Sequence, residues 1–220
     1  MNTPDHLIKQ PNFILIGPPG SGKGTFSFFM VQKRNYHQIC IGDIIRTHKK
    51  KNTDIGKAIL ANGGFVDDEM AYSIIKNEID LIVENKTPFI IDGFPRNIPA
   101  FEFLIQELKE KDVIASTTFV HFKIDDQVCI DRINNRLVCF KCFDVFNTTT
   151  KKPKKEMICD SCDIPLEVRE GDAAAATIKR LACYRAYTEP LIEVAKKNFN
   201  ILTIDANSSI EGCLAQYKNI

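Results

Sequence analysis

The chain has 220 residues, enough for one sizeable hydrophobic core with small inserted parts. Hydrophobic residues make up 44% and charged ones 26%, as in an ordinary soluble globular protein, and no apolar run approaches the ~20 residues of a membrane-spanning helix. The formal net charge of +1 argues against a nucleic-acid surface but not against a local nest of arginines around a small anion.

Residues 1–10 are polar and mixed in charge, without the basic start and apolar stretch of an export signal, so a cytoplasmic protein is expected. Residues 12–16, NFILI, read as a buried strand closed by a turn at Gly17-Pro18-Pro19-Gly20, with a helix expected over 22–34. Residues 36–41 form a short strand or extended link. Helical stretches follow at 43–48 and 55–62, the second broken by Gly63-Gly64. Residues 67–84 read as a longer helix, with Asp67 and Asp68 suiting its positive N-terminal end. A strand over 87–92, a helix over 99–111, a strand over 117–124 and a helix over 127–135 come next. The helical period then disappears over 137–165, which holds cysteine pairs, the run Thr148-Thr149-Thr150 and a lysine cluster. A long helix over 173–197, a strand over 200–205 and a helix over 209–218 close the chain.

Strands alternating with helices give an α/β fold, a parallel sheet with helices on both faces. Two segments look inserted, 41–66 and 135–172. They leave 1–40, 67–134 and 173–220 as the core.

Residues 17–25 spell G-x-x-x-x-G-K-G-T. Glycines let the backbone curl so that several N–H groups face one point, and the helix beginning there adds its positive end. Such a loop cages triphosphate oxygens. Gly20, Ser21, Gly22, Lys23, Gly24 and Thr25 are the candidate donor-nucleotide residues, with Lys23 reaching the outer phosphates and the Thr25 hydroxyl helping to hold Mg²⁺. A plain glycine turn would also fit the letters, but the expected strand before and helix after supply the right context. The fold expected is therefore of the P-loop NTPase type.

GPPGSGKGT resembles the phosphate loop of the adenylate kinase family. The likeness continues through Gly42-Asp43-Ile44-Ile45-Arg46, through Asp92-Gly93-Phe94-Pro95-Arg96, through Asp131-Arg132 with Arg136, and through Arg169 and Asp172 with Arg180. These motifs occur in family order and cover residues 12–205. The resemblance implies transfer of the terminal phosphoryl group of ATP to AMP, giving two ADP. It implies that Arg46 and Arg96 hold the acceptor phosphate, that Arg132 lies against the donor base, and that Arg136, Arg169 and Arg180 meet the transferring group. Lys23, Arg96, Arg136, Arg169 and Arg180 are thus the expected catalytic set. Ile41, Arg46, Phe65, Val66, Gly93 and Arg96 form the acceptor side, and Asp92 with Thr25 the Mg²⁺ shell. Arginine suits this work because it stays charged and grips phosphate with two prongs. Asp172 reads equally well as a cap for the following helix. The resemblance also implies a monomer whose partners are small nucleotides, with segment 41–66 binding the monophosphate and 135–172 closing as a lid.

Cys139-x-x-Cys142 and Cys159-x-x-Cys162 stand sixteen residues apart, a spacing that suits one tetrahedral Zn²⁺ on four thiolates. Four protein ligands leave no open position, so the metal is expected to be structural. Four free thiols or two disulfides are the alternatives. The segment resembles the zinc knuckle in the lid of some adenylate kinases. The lysines of 151–155 read as a solvated loop tip.

Four positions leave the family pattern. Ile41 stands where Thr or Ser is usual and Ala100 where a Gln is usual, so both polar contacts to the acceptor base are missing, and Gly171 replaces a lid carboxylate. Phe26 stands where Gln is common. A different acceptor (GMP, UMP or CMP), GTP as donor, or a weakly active nucleotide-binding protein are the competing readings. A zinc-dependent nucleic-acid binder rests on the cysteines alone and conflicts with the charge balance.

Overall fold

The computed structural model describes residues 10–50, 53, 67–169 and 172–217. The expected helix at 55–62, the break at Gly63-Gly64, and Phe65, Val66 and Gly171 lie outside the described residues.

Strand β1 (Asn12–Ile16) is buried along its whole length. An apolar run with no polar alternation is what a strand covered on both faces requires. Side chains alternate across the sheet, and here each face meets a different set of helices. Ile14 and Ile16 join one cluster, with Ile39 of β2 (His37–Cys40) and Phe89 and Ile91 of β3 (Phe89–Asp92). Phe13 and Leu15 join the other, with Val120 and Phe122 of β4 (Thr117–Lys123). The first face is covered by α3 (Asp68–Glu84), α4 (Ile98–Glu110) and α7 (Pro190–Lys196). The second is covered by α1 (Lys23–Arg34), α5 (Asp126–Asn134), α6 (Ala174–Cys183) and α8 (Ile210–Tyr217). Helix α2 (Ile41–Lys50) follows β2 directly.

All neighbouring strands run parallel, in the order β2-β3-β1-β4-β7, with β7 spanning Ile201–Asp205. The chain first builds to one side of β1 and then crosses to the other. That reversal leaves a crevice at the carboxyl ends of β1, β3 and β4, where open parallel sheets bind ligands.

Helix starts follow local chemistry. Asp67 caps α3 by accepting the Met70 N–H at 2.8 Å, and Asn97 caps α4 by accepting the Ala100 N–H at 2.8 Å. The helix expected over 173–197 is instead interrupted. A π-helical turn, Tyr184–Thr188, separates α6 from α7. Pro190 has no N–H for the carbonyl four residues back and its ring crowds that carbonyl. The Glu189 N–H bonds five residues back, to the Tyr184 carbonyl at 2.9 Å.

The stretch without helical period forms a two-stranded antiparallel ribbon, β5 (Arg136–Val138) and β6 (Val145–Asn147), extended by isolated bridges such as Val138 to Glu167. Its own small cluster holds Leu137, Cys139, Phe146, Cys159 and Leu166. Lys151 is not a solvated tip. Its ammonium pairs with Asp144 and lies 4.7 Å from the Phe146 ring and 5.5 Å from that of Phe28. A nearly buried carboxylate draws the chain end inward.

Candidate active site

The loop between β1 and α1 turns on Gly20 and Gly22, with φ of 84° and 96°. At Gly20 a Cβ would also fall 2.8 Å from the Cys129 carbonyl. Only glycine meets both demands. Gly22 is the N-cap of α1 and offers no side chain, so no side chain takes up the first N–H groups of that helix. Such amides, with the helix dipole behind them, favour an anion. The Lys23 ammonium folds over the loop, donating to the carbonyls of Gly17 (2.7 Å) and Pro18 (2.8 Å) and to the Ser21 hydroxyl (3.2 Å). Burial pushes the Lys23 ammonium below its ordinary range, while Asp92 opposite holds it up. Asp92 ends β3, only 9% exposed. Burial raises its carboxyl and Lys23 draws it back down.

All six expected arginines line one cleft of about 1320 Å³ together with residues 20–25, Asp92 and Gly93. They arrive from separate stretches of chain. Two carboxylates hold four of them. Asp43 pairs with Arg46 one turn along α2 and with Arg169, 3.3 Å away from the far side of the cleft. Asp172 receives the Arg136 Nε at 2.7 Å and lies 3.4 Å from Arg180. The Asp172 side chain is 1% exposed, and it caps no helix, because Ala173 occupies that position. Arg96 donates from Nε to the Gly93 carbonyl at 2.8 Å, and Arg132 donates to the Ser208 carbonyl at 3.1 Å.

The guanidiniums also crowd one another. Burial depresses the Arg169 guanidinium, and Arg46 and Arg136 beside it depress it further. Burial and Arg136 do the same to Arg180. Arginine does not give up its proton, so this crowding is electrostatic tension that a bound anion would relieve. The Nε groups of Arg46 and Arg169 are buried without hydrogen-bond partners among the described residues. These two groups are free to donate to an anion entering the cleft.

Away from the cleft floor, the sulfurs of Cys139, Cys142, Cys159 and Cys162 lie within 4.8 Å of one another. None is in a disulfide, and Cys142 and Cys159 are 3.7 Å apart. A tetrahedral zinc with bonds of about 2.3 Å sets its sulfurs about 3.8 Å apart. Each pair sits on the same backbone knuckle. The residue after the second cysteine is left-handed, Phe143 at φ 61° and Asp163 at φ 52°. Its N–H returns to the carbonyl of the first cysteine, at 2.8 Å and 3.0 Å. Burial pushes the Cys139 thiol up, but the N–H groups of Cys142 and Lys141 and the neighbouring thiols bring it down to about 7. Burial and the neighbouring sulfurs push Cys142 up. Four thiols this close do not all ionise unaided, and a soft divalent cation fits them.

A family model described as adenylate kinase matches residues 15–200. An adenylate kinase of Treponema denticola is 37% identical over 210 residues, covering 94% of this chain and 97% of its own. One of Lodderomyces elongisporus is 40% identical over 204 residues (91% and 81%), and one of Petrotoga mobilis 35% identical over 212 (94% and 95%). The chain belongs to the adenylate kinase family. Adenylate kinases are phosphotransferases that use Mg²⁺ with ATP, and the sheet, loop and cysteine cluster agree with that membership. No helix among the described residues is long and apolar enough to cross a membrane.

Three of the departures from the adenylate kinase pattern, Ile41, Ala100 and Phe26, have physical settings in the structure. Ile41 and Ala100, 5% and 2% exposed, are built into the first apolar cluster and do not line the cleft. Phe26 is fully buried, its ring 4.8 Å from that of Tyr217 and 5.6 Å from that of Phe13. The second cluster, not the nucleotide, explains it. Three cleft residues escaped sequence reasoning. Asp43 stood inside a quoted motif, but nothing local said it would receive Arg169. Lys151 looked like part of a charged tip. Tyr184 lines the cleft with its hydroxyl buried and unpartnered among the described residues, and only the position of Pro190 hinted at a distortion there.

Proposed function

We infer that the protein reversibly transfers the terminal phosphoryl group of ATP to AMP, giving two ADP. One observation carries the reading: the glycine loop, Lys23 and six arginines face a single cleft with room for two nucleotides. Arg46, Gly93 and Arg96 are assigned the acceptor side, with Phe65 and Val66. Ile41 is buried in the first apolar cluster and supports that side from the core. Residues 20–25 take the donor phosphates, Arg132 the donor base, and Lys23, Arg96, Arg136, Arg169 and Arg180 the reacting groups. Thr25 and Asp92 would hold Mg²⁺, which neutralises the outer phosphates. Cys139, Cys142, Cys159 and Cys162 hold a structural Zn²⁺.

The chemistry follows from charge. Two phosphate tails repel each other, and guanidiniums aligned between them remove that repulsion. An acceptor phosphate oxygen attacks the terminal phosphorus of ATP in line, and the bond to the bridging oxygen breaks as ADP leaves. Asp43 and Asp172 keep the arginines aligned before substrates arrive, then give them up to phosphate oxygens. Segments 41–66 and 135–172 act as flaps on the core, and the Arg169–Asp43 pair joins them as closure requires. Closure keeps water from taking the phosphoryl group. The reading takes the protein as a monomer in the cytoplasm.

The test is a coupled assay with ATP against AMP, GMP, CMP and UMP. AMP is expected to turn over fastest. Rapid use of another base with none of AMP would overturn the acceptor assignment, and no turnover with any would overturn the enzyme.

A further inference from the structure

Asn147 is the last residue of β6, 8% exposed, and it occupies the joint where the 135–172 segment leaves α5. A helix ends with carbonyls that have no N–H partner of its own. In α5 the Asp131 carbonyl is taken by the Asn135 side chain at 2.9 Å. The Arg132 carbonyl would normally accept the N–H of residue 136. Arg136 has instead turned into β5, where its register partner is Asn147. The Asn147 side chain supplies the missing donor, with Nδ2 on the Arg132 carbonyl at 3.1 Å. Its Oδ1 accepts the N–H groups of Thr149 (2.9 Å) and Thr150 (3.0 Å) and the Thr149 hydroxyl (2.6 Å). Its own N–H donates to the Lys151 carbonyl at 2.9 Å.

One amide therefore ties together the helix that carries Arg132, the strand that carries Arg136 and the turn that leads to Lys151. All three side chains line the cleft. The position demands a donor and an acceptor on one short side chain, which asparagine alone supplies at this reach. We propose that Asn147 is a positioning residue for the donor nucleotide, fixing Arg132 and Arg136 relative to each other through its bond to the Arg132 carbonyl. The proposal rests on the kinase reading for the meaning of those two arginines. Asn147 also borders the cleft, but its side-chain bonds go to the Arg132 carbonyl and to the Thr149–Thr150 turn. It acts through the backbone of the two residues on either side of the joint.

Asn147→Asp isolates the tie. The carboxylate keeps the three accepted bonds but sets an oxygen against the Arg132 carbonyl, so attraction becomes repulsion. ATP affinity is measured by direct titration, which needs no turnover, with AMP affinity, melting temperature and zinc content alongside. Misplacing two arginines by a fraction of an ångström should weaken ATP about tenfold and lower kcat by a similar factor. AMP binding, melting temperature and zinc content should stay at the wild-type values. Thr148→Val removes the bond from that hydroxyl to the Asn135 side chain (2.8 Å), which belongs to the same turn but not to the tie, and should leave ATP binding unchanged. Asn147→Ala, which also deletes the three accepted bonds, should weaken ATP at least as much as Asn147→Asp, and ATP affinity at the wild-type value there would likewise defeat the proposal. Unchanged ATP affinity in Asn147→Asp would defeat the proposal. So would equal weakening of ATP and AMP with a lower melting temperature, or the same ATP loss in Thr148→Val. An inactive wild type would count against the kinase reading instead, and the titration would still decide the role of Asn147.

Discussion

The parallel-sheet core and the four-cysteine segment solve the same problem by different means. The core buries β1 on both faces, packs Phe13, Phe26, Phe122 and Tyr217 edge to face on one side, and packs Phe101, Leu104 and Leu108 on the other. Its stability comes from apolar area brought together from distant parts of the chain, and no single group controls it. The segment of β5 and β6 buries only a few apolar residues, and two of the five in its cluster are cysteines that double as candidate metal ligands. A unit this small needs a staple. The core should therefore respond to mutations of packing, and the segment to whatever removes metal or alters sulfur.

The largest effect that would break this contrast is metal removal. A structural zinc contributes on the order of 10 kcal/mol of local folding energy. A chelator should expose the amides of β5, β6 and the two knuckles to hydrogen exchange while those of β1, β3 and β4 stay protected. Loss of protection in the sheet at the same chelator concentration would mean the two regions are one cooperative unit. Intact knuckle protection with zinc demonstrably gone would mean the sulfurs need no metal.

Next comes the loop that the core carries. Lys23→Ala removes the ammonium and its three bonds to the loop. A cation at the transferring group is worth about 10³ to 10⁵ in rate, so turnover should fall by at least about 10³-fold. The chelator response should not change. Retention of more than about a tenth of the rate would contradict the role given to Lys23.

The sheet could be read from the sequence because a two-sided strand leaves an uninterrupted apolar run and the glycine loop has a fixed spelling. Among the described residues, the expected strands and helices fell within a few residues of those observed except over 173–197, which is interrupted, and the six arginines line one cleft while the four cysteines cluster. What escaped depended on contacts between segments far apart in the chain. Asp43 meets Arg169 across 126 positions, and Asn147 meets Arg132 across a reversal of direction. Lys151 sits in a run of lysines, and charge alone says solvent; only the nearly buried Asp144 and the two rings explain its place. The π-turn depended on one missing N–H, at Pro190, inside an otherwise regular helical period. Phe26 had no account in the sequence because it follows the loop motif directly, while its side chain lies in the second core cluster.

Phe26→Ala sharpens the contrast from the core side. Removing a fully buried aromatic leaves a cavity among Phe13, Phe122 and Tyr217. The expected loss is about 3–5 kcal/mol of global stability, seen as a lower urea midpoint. The chelator concentration that releases the knuckles should stay where it was. A shift in that concentration as large as the shift in the urea midpoint would mean that the core and the segment share their stability after all.

The smallest effect tests the one contact where the two regions touch through Lys151. Its ammonium belongs to the four-cysteine segment by its pair with Asp144, and to the core by its position 5.5 Å from the ring of Phe28 in α1. A cation over a partly exposed ring is worth about 0.5–1 kcal/mol, so Lys151→Met should weaken ATP binding by about two- to fivefold. Phe28→Leu removes the contact from the other side, and because Lys151→Met also removes the pair with Asp144 and the contact with Phe146, the double variant should be no weaker than Lys151→Met alone. If the two losses simply add, Lys151 and Phe28 act separately, and the four-cysteine segment is held by the Arg169–Asp43 pair to the 41–66 insert instead.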